Sequence, residues 1–237
     1  MLGAMKPVIT KLKWENNDEA DADMQFRLTY EGKLLGASRS NTRAAHKHDI
    51  RKVFHKQLKR LWEIAPHFGP DPGPELLETG GGQRPPAVTK EELAEKFDRS
   101  GYNFVPLVTE ELSLRCDISI LFLRPDPPGS VLNSGDIDNR IKTLFDALRM
   151  PGNKDEFGNY REPTEDEKPF FCLLEDDKLI TSVAVETDLL LDPVSNVKIA
   201  SEDKLDQNDS NNKNDARLVI TVKISPIRLS LYNIHLG

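Results

Sequence analysis

Apolar residues alternate with polar ones in several short runs of the chain and recur at helical spacing in a few longer ones. Over residues 24–30, Phe26, Leu28 and Tyr30 alternate with Gln25, Arg27 and Thr29, the period of a half-buried strand. Residues 112–123 set Leu112, Leu114, Cys116, Ile118, Ile120 and Phe122 on one face and predict a central strand. Residues 170–174 and 179–191 read as extended, the second with Leu179, Thr181, Val183, Val185, Thr187 and Leu189 on one side. Residues 217–224 close the sheet with Leu218, Ile220, Val222 and Ile224. The period changes to that of a helix over residues 41–63, where Ile50, Val53, Phe54, Leu58, Leu61 and Trp62 form the apolar side. It changes again where Ile141, Leu144, Phe145 and Leu148 recur at i, i+3, i+4 and i+7, a helix that Met150-Pro151 must end. A short third helix, to about Asp98, opens on the capping box Thr89-Lys90-Glu91-Glu92 and turns Leu93 and Phe97 inward.

These elements predict an α+β fold, a mixed β-sheet with two principal helices and loop insertions. With 237 residues and 38% of them hydrophobic, the chain can bury one sizeable core, so a single domain over residues 1–237 is expected. The expected insertions are residues 64–104 and 151–168, and residues 201–216, almost wholly Asp, Asn, Lys and Ser, read as a mobile acidic loop. Residues 66–86 are too poor in apolar side chains to fold alone, and Gly80-Gly81-Gly82 is followed by Gln83-Arg84-Pro85-Pro86, which excludes a phosphate loop. Cys116 and Cys172 lie in apolar runs and read as buried free thiols, in keeping with a reducing cytoplasm. No apolar run approaches the roughly twenty residues that cross a bilayer, and the N-terminus lacks a secretory apolar block. A soluble cytoplasmic protein without a membrane partner is expected.

The chemistry is concentrated at the start of the second principal helix. Asp136 and Asp138 stand at its mouth, and Asp138, Lys142, Asp146 and Arg149 follow one turn apart as a polar stripe. Glu175-Asp176-Asp177 forms a second acidic cluster just before a strand. Mg²⁺ is usually held by one or two carboxylates, with waters and phosphate oxygens completing its shell, so two such clusters outline a metal site. Each piece also has an ordinary structural reading: Asp138 as N-cap, Lys142 paired with Asp138 or Asp146, the later acids as a solvated loop. Asp136 is the surplus, because one N-cap needs only one side chain. The preceding strand delivers the chain to this motif, which should therefore lie at a sheet end, beside a helix N-terminus.

The pattern Asp136-x-Asp138-Asn139-x-x-Lys142, then Asp146-Ala147-Leu148, then Asp176-Asp177 before a strand, resembles the signature of the RusA family of Holliday junction resolvases. The resemblance implies a RusA-like fold and a Mg²⁺- or Mn²⁺-dependent endonuclease that hydrolyses phosphodiester bonds at Holliday junctions or other branched DNA. It implies Asp136, Asp138 and Asp177 as metal ligands, with Lys142 assisting catalysis and Asp176 and Asp146 in secondary roles. It implies a homodimer, since a four-way junction is nearly two-fold symmetric. The chain departs from the family in carrying Asn133-Ser134-Gly135 where basic residues are usual, in its length, and in the segment from Pro151 to Lys168. Two other readings remain open, a non-catalytic junction or single-strand binding protein and a metal-dependent nuclease acting on flaps or RNA.

Charge distribution bears on the nucleic acid. From Arg39 to Arg60 there are eight cations against one acid, Asp49, in a chain whose net charge is −7. The face expected to meet phosphates comprises Arg43, Lys47, Arg51, Lys52, Lys56 and Lys59. His46, His48 and His55 lie among these cations, which oppose metal binding there.

Overall fold

The computed structural model describes residues 24–37, 43–64, 89–125, 136–158, 162–191 and 214–227, with Asp136 described by its backbone alone. Their order is β1 (Met24–Lys33), α1 (Ala44–Ile64), α2 (Lys90–Lys96), β2 (Asp98–Arg99), β3 (Tyr102–Val108), β4 (Leu114–Arg124), α3 (Asp136–Leu148), β5 (Phe170–Leu174), β6 (Ile180–Leu189) and β7 (Asp215–Pro226). The fold is α+β. Where the periodicity suggested one mixed sheet, the structure has two, a four-stranded sheet β1-β7-β4-β6 and a three-stranded sheet β2-β3-β5. In the larger sheet β7 is antiparallel to both β1 and β4, and β6 runs parallel to β4.

The alternation read from β1, β4 and β7 becomes an inner face of Phe26, Leu28, Tyr30, Cys116, Ile118, Ile120, Phe122, Leu218, Ile220 and Val222, all buried. Helix α1 covers this face and also packs on β5, whose five residues are all buried. Two partners explain why α1 buries a wider arc than the apolar stripe alone, taking in Lys47, His48, Arg51 and His55. Val53, expected on the apolar side, is 37% exposed. β6 departs further from expectation: it lies at a sheet edge and is half or fully exposed throughout, rather than burying one face. β7 begins at Asp215, inside the stretch read as loop, whereas residues 201–213 and 66–86 lie outside the described residues.

The segments expected as insertions carry core. In 89–104, the Thr89 capping box forms as the spacing predicts, Leu93 and Phe97 are buried, and β3 pairs in parallel with β5. In 151–168, a 3₁₀ turn, Lys154–Phe157, delivers Phe157 into an aromatic cluster with His48, Tyr102 and Phe104. The following Gly158 has φ +62°, and a Cβ there would lie 2.5 Å from the Ala45 backbone nitrogen. Only glycine lets this segment close on the first turn of α1. Gly158→Ala should therefore lower the unfolding free energy by more than about 2 kcal/mol, from backbone strain plus displacement of α1. Urea unfolding followed by circular dichroism checks this; an unchanged midpoint would show that the segment is not clamped.

Candidate metal and nucleic-acid site

Helix α3 follows β4 and begins at Asp136, so Asp138 stands inside its first turn rather than capping it. Asp138 thus stands at the positive end of the helix dipole, which favours negative charge. The first turn is fixed in place by its neighbours: Ala37 N–H donates to the Asn139 carbonyl at 2.8 Å, and Arg140 Nη2 donates to Asn214 Oδ1 at 3.3 Å. Ile141, Leu144 and Leu148 are buried as the spacing requires, and Phe145 partly so. Asp138 and Lys142 are exposed, and neither makes a hydrogen bond or ion pair among the described residues. The i, i+4 pairs that would have given Lys142 a structural role, with Asp138 or Asp146, are not formed.

Asp146 belongs to a different environment two turns further on. It is 8% exposed, with Oδ2 2.7 Å from Lys47 Nζ and Oδ1 3.3 Å from Arg149 Nη2. The guanidinium of Arg51, 1% exposed, donates to the carbonyls of Asp146 at 2.7 Å and Arg149 at 3.2 Å, and its Nη1 lies 3.2 Å from His48 Nδ1. The C-terminal turn of a helix leaves carbonyls without intrahelical partners, and Arg51 supplies their donors. Burial lowers the Arg51 pKa to about 10, which leaves it charged at neutral pH. Arg149, whose charge burial opposes, is nevertheless held above the ordinary arginine range by Glu156, Asp146 and Asp177.

This geometry corrects the expected phosphate-binding face. Arg51 and Lys47 point into the protein, Lys52 pairs with Glu167 at 2.8 Å, and Arg43 donates to the Gly36 carbonyl. Lys56 is exposed, Lys59 half-buried, and Arg60 is exposed beside Glu63. Of the expected set, only Lys56 is exposed; Lys59, like Arg43, is half-buried and donates to a backbone carbonyl, that of Asp166 at 3.4 Å. Glu167 was missed by sequence reasoning, although Thr164-Glu165-Asp166-Glu167 has the spacing of a capping box, and that box forms.

The later acidic cluster is largely occupied. Glu175 Oε2 accepts from Glu110 N–H at 3.0 Å, and Asp176 Oδ1 accepts from Lys178 N–H at 3.0 Å as the cap of the 3₁₀ turn Asp177–Leu179. Asp177 is exposed. The structure does not bring it to Asp138. The first turn of α3 is tied to Asn214, just before β7, whereas Asp177 lies one 3₁₀ turn before Ile180, whose partner Cys116 pairs with Ile224 near the end of β7. Those ten residues of β7 span about 33 Å at roughly 3.3 Å each. That Arg149, at the far end of α3, feels the charge of Asp177 fits this placement. Among the described residues no three His, Cys, Asp or Glu side chains gather as a metal site. Asp136 and Asp138 thus belong to the first turn of α3, and Asp177 to the 3₁₀ turn before β6, where Arg149 beyond the other end of that helix feels its charge.

The three histidines of α1 make internal contacts. His46 Nε2 accepts from Leu35 N–H at 3.2 Å, and His55 Nδ1 accepts from Phe171 N–H at 2.9 Å while its Nε2 donates to the Asp166 carbonyl at 3.0 Å. Burial, aided by neighbouring cations, lowers the pKa of His46 to about 4 and of His48 to about 2; burial lowers that of His55 as well. Cys116 and Cys172 are free and buried, as expected, and burial raises both thiol pKa values. No helix among the described residues is long and apolar enough to cross a membrane. No protein-family model, no curated protein and no solved structure matches the chain.

Two predictions follow from these contacts. Arg51→Leu strands the carbonyls of Asp146 and Arg149 and should cost about 3 kcal/mol in urea unfolding; a loss below about 1 kcal/mol would show that other donors serve them. Histidines neutral in the fold and titrating near pH 6.5 when unfolded contribute stability that is complete above that pH and is lost as pH falls below it. For His46 and His48 the loss between pH 7 and pH 5 should reach about 2 kcal/mol each. His48→Phe, which retains the ring packing, should remove roughly half of that pH dependence, read from denaturation at the two pH values.

Proposed function

We propose that this chain is a divalent-metal-dependent endonuclease acting on branched DNA, with Asp136 and Asp138 as the protein ligands of Mg²⁺ or Mn²⁺ and Lys142 beside them. The observation that carries the reading is that Asp138 and Lys142 stand exposed on successive turns of α3, with no described partner, while Asp146 on the same stripe is held by Lys47 of α1 and Arg149 by Asp146 and Glu156. A stripe divided in this way leaves Lys142 without a described partner and Asp138 favoured only by the dipole of its own helix. Two carboxylates suffice for Mg²⁺ when waters and a phosphate oxygen fill the other positions. The ion would activate water and offset charge on the pentavalent phosphorus, and Lys142 would stabilise that charge or protonate the leaving oxygen. Exposed Lys56 and half-buried Lys59 are the candidates for phosphate contacts, which supply affinity without base specificity. The resemblance to RusA resolvases supports the junction as substrate and a homodimer as the active form.

The separation of Asp138 from Asp177 favours one other reading, a junction-binding protein that does not cut. A synthetic four-way junction incubated with the protein and Mg²⁺ separates the two. Cleavage should be abolished by chelation, and Asp138→Asn and Lys142→Ala should each reduce its rate at least about a hundredfold while junction binding persists. Binding without cleavage in either metal, or equal cleavage by wild type and Asp138→Asn, overturns the proposal. Asp177→Asn is the informative companion: a loss as large as that of Asp138→Asn would bring the later acid to the ion.

A further inference from the structure

β6 is a ten-residue strand, Ile180–Leu189, with β4 as its one neighbour among the described strands. Its register with β4 sets Val183 beside Ile118, Val185 beside Ile120 and Leu189 beside Arg124, so these side chains continue the inner face of the sheet. Ile118 and Ile120 are buried beneath the helices, at 1% and 2% exposed, whereas Val183, Val185 and Leu189 are 46%, 39% and 37% exposed, and Leu191 just beyond is 85% exposed. The helix layer stops one strand short. β6 thus combines a sheet edge with uncovered apolar side chains, and it contains neither the lysine nor the proline that usually blunts an edge.

We infer that β6 is the self-association surface of this protein, pairing antiparallel with β6 of a second copy about a two-fold axis through Ala184. The sequence of the strand identifies the occupant. Thr181-Ser182-Val183-Ala184-Val185-Glu186-Thr187 reads almost the same in both directions about Ala184. An antiparallel pair centred there puts Val183 opposite Val185, twice, on the inner face, and Ala184 opposite Ala184 and Ser182 opposite Glu186 on the outer face; the bulge at Thr181, whose hydroxyl donates to Asp117 Oδ1 at 2.8 Å, ends the regular ladder. Branched side chains paired in this way stabilise an antiparallel ladder, and no acid faces an acid. Moving the axis two residues on, to Glu186, would set that carboxylate against its own copy, so charge disfavours that register. The two four-stranded sheets would join as one of eight, with an isologous interface. The inference stands apart from the catalytic reading, since it uses no residue of α3.

Light scattering on the full chain tests the association, and cysteine crosslinking tests the register. The wild type should be a dimer at tens of micromolar, and Val183→Lys/Val185→Lys should raise its dissociation constant at least about tenfold. Opposed residues in an antiparallel pair have Cα atoms about 4.5–5.5 Å apart, within the span of a disulfide. Ala184→Cys should therefore form a covalent dimer under mild oxidation. Ser119→Cys, exposed at the same level on β4, should not. The crosslink decides the matter even where the lysine variant folds poorly. A monomeric wild type, a dimer that the two lysines leave unchanged, or an Ala184→Cys protein that crosslinks no better than Ser119→Cys overturns the inference.

Discussion

One buried cation organises the helical side of this protein. The Arg51 guanidinium lies where α1 crosses the end of α3, donating to two carbonyls of the last turn of α3 and lying beside a neutral His48. A charge in that position is tolerated because the end of a helix presents partial negative charge and unsatisfied acceptors. Lys47 and Arg149 add to it by holding Asp146 from both sides. The contact fixes the axial position of α3, and so settles which of its polar residues are engaged and which are left at the surface. The exposure of Asp138 and Lys142 is the other side of that anchoring.

Much of this architecture is legible in the sequence because hydrophobic period reports burial directly. β1, β4, β5, β7 and both principal helices were all readable, as was the Thr89 capping box, since each depends on short-range spacing. The less legible features depend on which surface covers which. The cations of α1 fix the sign of its charge but not the direction in which each points. Arg51 becomes an interior residue only once α3 brings its free carbonyls, and those lie about a hundred residues away along the chain. β6 has the alternation of a one-faced strand, yet both faces stay open, because position at a sheet edge is a property of topology and not of period.

The acidic motif was legible as chemistry and less so as geometry. Spacing read Asp138 as the cap and Asp136 as surplus, whereas the structure starts α3 at Asp136, places Asp138 inside the helix and leaves Lys142 exposed and without a described partner. The later acids looked equivalent to one another in sequence and are not. Glu175 and Asp176 are used as acceptors for backbone N–H groups, and Asp177 extends to solvent. Convergence of residues forty positions apart depends on how the intervening chain crosses the sheet. Here that path carries the second acid away from the first.

The segment between Pro151 and Lys168 would look expendable to anyone trimming the chain to its principal helices and strands. Its aromatic side chain, Phe157, lies against His48, Tyr102 and Phe104, which come from α1 and β3. Excising the segment would open a cavity where α1 meets β3, lined by an imidazole whose neutrality depends on its burial. What looks in sequence like an added length of chain is part of the wall that keeps water from that ring.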